Sequence, residues 1–164
     1  MSEEVLYLMS IRPKYAYQIF TGRKKFELRR WIGIPVVEGA VIVVYVSGSV
    51  KALMGEFRAG RIITGTPQRV WNEIMKYESH GIERDAWPYI AGAKKAMAIE
   101  VLEPRLYQRP VKLDELRQIF PRFAPPLSFR VLHLEEPLYR FLVKPLREGR
   151  DRYTKIRNSV IVDA

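Results

Sequence analysis

Ser10-Ile-Arg-Pro-Lys-Tyr-Ala-Tyr-Gln-Ile-Phe-Thr-Gly-Arg-Lys-Lys-Phe-Glu-Leu-Arg-Arg-Trp31 is the stretch around which the chain is organised. It reads as a strand end, a short helix, a glycine turn and a second strand. Pro13 suits the first turn of a helix, where its missing N–H has no partner to lose. Tyr15, Ala16, Ile19 and Phe20 then recur at helical spacing and form one stripe. Gly22 stands where a left-handed residue ends a helix. Beyond it the residues alternate: Phe26 and Leu28 point one way, Lys25, Glu27 and Arg29 the other. Glu27 and Arg29 are therefore neighbours on one face, about 6–7 Å apart along the strand. Lys24, at the turn, is placed to swing its ammonium over the same face. The expectation is a carboxylate held between cations in one concave site. The plain alternative is a solvated strand face with a surface ion pair worth little.

The charged positions form the pattern Gly22-x-Lys24-x-x-Glu27-x-Arg29. Four specified positions match by chance about once in 10⁵ starts, so the spacing outweighs the plain alternative. The pattern resembles the signature of the ASCH superfamily, whose fold is related to PUA RNA-binding domains. The opening Met9-Ser-Ile-Arg-Pro-Lys-Tyr-Ala16 is similar to that of an archaeal and phage branch described as predicted transcriptional regulators. Val50-Lys-Ala-Leu-Met-Gly-Glu-Phe57, Pro67-Gln-Arg-Val-Trp71 and Pro125-Pro-Leu-Ser-Phe-Arg130 resemble that branch too. The resemblance covers roughly residues 5–132. It implies a small mixed β-barrel of the PUA-like kind, where pattern alone supports only α+β.

Composition narrows the function classes. A chain of 164 residues with 48% hydrophobic and 28% charged residues is an ordinary globular domain with its own core. No apolar run is long enough to span a membrane, and no basic-then-apolar signal segment opens the sequence. A cytoplasmic location follows by default. Cysteine is absent, which excludes disulfides and thiolate chemistry, and only His80 and His133 could offer imidazole. No metal site is expected. No cofactor is expected either, because Walker and dinucleotide-binding glycine loops are missing. The net charge of +10 points to a polyanionic partner, nucleic acid being the commonest.

Taken in order, the sequence predicts a first strand over 5–10 and, after the stretch above, a loop over 31–39. A buried central strand follows over Ala40–Val46, then a strand or hairpin over 51–63 broken near Gly55 or Gly60. Glu56 either shares the cleft of Glu27 or faces solvent. Thr66-Pro67 opens a helix with Val70, Trp71, Ile74 and Met75 inward, and His80-Gly81 closes it, the imidazole pairing with the helix dipole. A second short helix over 83–90, strands over 96–102 and 105–111, a helix over 113–120 and a closing strand over 128–134 complete the domain at residues 1–134. Pro110 argues against a central place for its strand. Residues 135–164 form a basic extension. It contains a helix over 136–146 with Leu138, Phe141 and Leu142 inward, ended or kinked by Pro145, then a basic run around Tyr153 and a strand over 160–162.

Two functions compete. In the first, a cleft binds nucleic acid, RNA above all, through Arg12, Lys14, Lys24, Glu27, Arg29 and Arg30, with Ser47 and Ser128 as hydrogen-bonding groups. Tyr15, Trp31 and Trp71 are available to stack on bases. In the second, the site is catalytic. The resemblance implies it, since some members of the superfamily hydrolyse RNA and one bacterial group acts on acetylated cytidine. In that group the signature lysine, here Lys24, is catalytic, and a threonine stands where this chain has Glu27. At that position the chain departs from the amidohydrolase pattern. A third reading is a pocket for a small nucleotide or nucleoside.

Overall fold

The structure is a computed structural model and describes residues 4–149. The basic run beyond Gly149, with Tyr153, and the strand expected over 160–162 lie outside the described residues. Six strands form one curled, mixed sheet, β1 (Leu6–Ile11), β2 (Phe26–Arg30), β3 (Val41–Val46), β4 (Ala52–Gly65), β5 (Ala96–Lys112) and β6 (Phe129–Leu132). Their spatial order is β2-β5-β4-β3-β1-β6, so β2 and β6 are the two edges. β1 and β3 run parallel, joined through α1 (Pro13–Phe20) and β2, and every other pairing is antiparallel. The α+β fold of PUA-like kind expected from the sequence is observed, its sheet curling into a half-barrel.

β3 lies in mid-sheet because its residues are apolar on both faces. Val41, Val43 and Tyr45 pack with Leu142 and Val143 of the C-terminal segment and with Leu116 of α4 (Leu113–Ile119). Ile42, Val44 and Val46 pack with Ala16 and Ile19 of α1. Each large aliphatic side chain so covered contributes about 1.5–3 kcal/mol. A third cluster joins Phe26 and Leu28 to α2 (Pro67–Met75) and to Ile90 of α3 (Trp87–Ala91). Thr66 caps α2 as the sequence predicts, its hydroxyl accepting from the Arg69 N–H.

Several expectations need correction. β4 is one strand, not a broken hairpin; its glycines sit at irregularities in the pairing rather than ending it. At Gly55 a Cβ would stand 2.3 Å from the Arg105 carbonyl oxygen and 2.8 Å from the Phe20 ring, so only glycine fits that approach. β5 also runs unbroken through the two strands expected there, with Glu103 at φ 49°. Pro110 is tolerated because it lies beyond Ala96–Glu100, where β2 pairs, so one side of β5 is open there. Arg84–Ala86 is a 3₁₀ turn leading into α3, in place of one helix over 83–90. His80 lies past the end of α2, where its Nδ1 accepts from the Ile82 N–H. Tyr139–Val143 forms a wide π turn running into α5 (Lys144–Arg147), whose first turn holds Pro145; Leu138 and Leu142 are buried, but Phe141 is exposed. The wider turn suits a chain about to lose the N–H of Pro145.

Glu56 faces neither the cleft nor solvent. It is buried beneath the C-terminal segment, where Tyr107 Oη and Arg147 Nε donate to it at 3.0 and 2.8 Å. Arg147 also reaches Glu4, at 3.0 and 3.3 Å. This network fastens α5 to β4 and to the N-terminal residues.

Candidate nucleic-acid interface

Gly22, at φ 79°, turns the chain out of α1, and the Gln18 carbonyl accepts both the Arg23 and Lys24 N–H groups. That pair of bonds fixes the backbone from which the Lys24 side chain departs. Gly81 presses on the same turn from outside: a Cβ there would fall 1.8 Å from the Arg23 carbonyl oxygen. The side chains of Lys24, Glu27 and Arg29 meet inside, only 3%, 3% and 5% exposed. Lys24 Nζ donates to Glu27 Oε1 at 2.6 Å, and Arg29 Nη1 donates to Glu27 Oε2 at 3.1 Å. The ammonium also stands 4.5 Å from the centroid of the Tyr15 ring.

Arg29 does more than balance charge. It rises from β2, one edge of the sheet, and donates to the Ser10 carbonyl at 3.1 Å and the Ser128 hydroxyl at 2.8 Å, beside the other edge. The guanidinium fork thereby closes, through a side chain, a seam that backbone pairing leaves open. Its Nε is buried with no hydrogen-bond partner among the described residues.

Above this buried floor opens a cavity of about 810 Å³. Its lining includes Tyr45 of β3, Ser47 and Lys51 from the β3–β4 turn, Asp85, Ala86, Pro88 and Tyr89 on one side and Pro125 to Leu127 on another. Burial works to raise the Glu27 carboxyl, but the charges and hydrogen bonds of Lys24 and Arg29 outweigh it and hold the group below its ordinary value of 4.5. Glu27 is thus a carboxylate at neutral pH, and the three side chains together carry one surplus positive charge. Burial holds the Tyr45 phenol above its ordinary 10.0, against a weaker opposite pull from Arg117. Arg12 and Lys51 line the cavity as exposed cations with no ion-pair partner among the described residues.

Of the residues singled out in sequence, Arg12, Lys24, Glu27, Arg29 and Ser47 line this cavity, and Ser128 touches it through Arg29. Lys14 does not; it is exposed and paired with Glu83 and Asp85. Arg30 turns outward and donates to the Tyr89 carbonyl at 2.7 Å. Tyr15 is the one expected stacking ring in the cavity: Trp31 packs under Lys95, and Trp71 against Trp87. Sequence reasoning missed Tyr45, Lys51, Asp85 and Leu127. A tyrosine near the end of an aliphatic strand, six residues before a lysine across a Ser-Gly-Ser turn, was the available signal for the first two. Lys51 takes φ 52°, a left-handed conformation uncommon for lysine.

No family model matches the chain. A Zymomonas mobilis protein described as an ASCH domain-containing ribonuclease is 32% identical over 129 residues, covering 79% of this chain and 85% of that one. The chain belongs to the ASCH-domain family. The crystal structure of the ASCH protein from Zymomonas mobilis superposes on this ASCH chain with a TM-score of 0.70 at 28% identity, covering 85% of this chain and 94% of that one. A variant of that protein with a serine changed to alanine gives a TM-score of 0.68 at 26% identity, over 81% and 92% of the two chains. A variant with a tyrosine changed to phenylalanine gives 0.67 at 27%, over 78% and 90%. Among the described residues of the ASCH chain no cluster of three metal-binding side chains occurs, and no helix is long and apolar enough to cross a membrane.

Proposed function

We propose that this ASCH-domain protein acts on RNA, binding a single strand across the mouth of the cavity and cleaving it there. One observation carries the reading. Two exposed cations, Arg12 and Lys51, with no ion-pair partner among the described residues, stand on a cavity whose floor is a buried, largely compensated cluster. Charges left uncompensated at a rim suit an anionic ligand, and a guanidinium matches phosphate oxygens in a planar fork. The Zymomonas mobilis relative described as a ribonuclease supports RNA as the substrate.

On this reading the cationic rim holds the phosphodiester and stabilises charge that develops on it. Tyr45 lines the cavity with a phenol that is protonated at neutral pH, as any tyrosine is, and its O–H can donate to a phosphate or leaving-group oxygen. Ser47 and Ser10 line the same cavity. Lys24 is assigned a structural and electrostatic part rather than that of a nucleophile, because its ammonium is bonded to a carboxylate and packed on the Tyr15 ring. This sets the reading apart from lysine-based hydrolysis of a modified nucleoside. A role in transcription, suggested by the archaeal and phage resemblance, finds no counterpart among the relatives named above, and RNA cleavage takes its place.

The test is incubation of the protein with end-labelled single-stranded RNA and electrophoresis of the products. Cleavage that is lost in Tyr45→Phe and in Lys51→Ala is the expected result. Binding without cleavage overturns the catalytic reading, and absence of binding at low salt overturns the whole proposal.

A further inference from the structure

Leu127 is fully exposed, at 106% of its reference area, on the rim of the cavity. A lone exposed leucine is ordinary on a protein surface, because exposed apolar atoms are common. The backbone on either side of Leu127 is not ordinary. The Ser10 hydroxyl donates to the Pro126 carbonyl at 2.6 Å, and the Ser10 N–H donates to the Ser128 carbonyl at 2.9 Å. The Ser128 hydroxyl in turn accepts from Arg29 at 2.8 Å. Pro125 and Pro126 restrict the approach from the N-terminal side. Leu127 is therefore held out by a backbone pinned before and after it, and the chain is not free to fold it back against the protein. The same cavity carries the Tyr15 ring, Pro88 and Tyr89.

We infer that Leu127 is a wedge that inserts beside a base of bound RNA, unstacks it and makes the site selective for an unpaired nucleotide. The inference rests on the RNA-acting reading and assigns its preference for a single strand to one residue. Apolar side chains inserted at a base step take the place of the lost neighbour in the stack. Bases splayed out of a single strand, with faces free to stack on protein, are the usual target of sequence-tolerant RNA recognition. With phosphates on Arg12 and Lys51, a base turned inward meets Tyr15 and the leucine held at the rim by its pinned backbone. A base paired in an A-form helix stays in its stack and gives the wedge nothing to touch.

The probe is a short single-stranded RNA with one internal 2-aminopurine, whose fluorescence rises on unstacking, together with the same strand annealed to its complement. Binding is followed separately by anisotropy of an end label. The wild type is expected to bind the single strand at least about tenfold more tightly than the duplex and to raise the 2-aminopurine signal. Leu127→Ala is expected to abolish that rise and remove most of the discrimination, and Leu127→Met to keep both. Because the side chain is fully exposed, thermal melting of Leu127→Ala should match wild type. RNA binding by the wild type with an equal fluorescence rise and equal discrimination in Leu127→Ala overturns the wedge and leaves the RNA reading intact. No RNA binding by the wild type at low salt overturns both.

Discussion

Arg29 Nη2 donates a 2.8 Å hydrogen bond to the Ser128 hydroxyl, joining the β2 edge of the sheet to the residue that leads into β6. With the bonds to Ser10 and Glu27, one guanidinium serves three acceptors, two of them across an open seam. Closure of the half-barrel and construction of the cavity floor are therefore the same event.

Arg29→Lys should expose that dependence. A single ammonium on a flexible stem does not reproduce a planar fork that reaches three acceptors. Stability is expected to fall by about 1–3 kcal/mol, as for a lost hydrogen bond to a charged group, and Ser128→Ala to cost less, about 1 kcal/mol. Urea titrations of the three proteins decide the matter, and an Arg29→Lys midpoint equal to wild type counts against seam closure.

Glu27→Gln leaves two buried cations without their carboxylate, and a loss of about 3–5 kcal/mol is expected. The acid limb carries a second signal. The Glu27 carboxyl is held below its ordinary 4.5 in the folded protein by Lys24 and Arg29, against the upward push of burial. Its contribution is therefore fully present above the unfolded value and is lost as pH falls through the folded one. Wild-type stability should drop steeply below pH 4.5, and Glu27→Gln should drop less over the same window. Parallel acid limbs in the two proteins would show that the carboxylate is not stabilised by its neighbours.

Arg12→Ala and Lys51→Ala address the rim. Each removes an exposed cation with no ion-pair partner among the described residues, so melting should be unchanged. Affinity for single-stranded RNA should weaken, and the slope of log K against log salt should shrink by about 0.7 for each phosphate no longer neutralised. Unchanged slopes in both variants would move the phosphates elsewhere.

Tyr45→Phe removes one oxygen from a side chain packed against Phe123, with ring centroids 6.3 Å apart. The fold should tolerate it. If the phenol donates to a reacting oxygen, RNA turnover falls about 10²-fold or more while RNA affinity stays near wild type. A loss of affinity matched to the loss of turnover would instead make Tyr45 a binding residue.

Arg147→Ala tests the far network. It strips the Glu56 carboxylate of a 2.8 Å partner beneath α5 and leaves it buried with Tyr107 and Arg105. A cost of about 2–4 kcal/mol is expected, with urea midpoints as the measure. A double variant with Glu56→Gln should recover part of it, because the stranded charge is gone. Failure of Glu56→Gln to recover any stability would show that the loss is one of packing alone.

Local chemistry decided what was legible in the sequence. Pro13 and Gly22 bracketed α1, Thr66-Pro67 opened α2, and the unbroken aliphatic run of β3 announced a strand buried on both faces. Alternation after Gly22 put Glu27 and Arg29 on one face, since the side-chain period of a strand follows from its geometry alone. Tertiary structure decided whether those charges were wet or dry. Whether Lys24 hangs in solvent or lies beneath Tyr15 depends on how α1 docks and on the cover supplied by the loop around Gly81, which is remote in sequence. The same holds for Glu56, whose partner Arg147 lies 91 residues away. Lys14 and Arg30 looked like site residues because they flank the motif, but packing turned one toward Asp85 and the other toward the Tyr89 carbonyl. Sequence spacing fixes direction along one element. The groups that a side chain meets are set by elements brought together from elsewhere, and those neighbours separate the cations of the buried floor from the exposed ones at the rim.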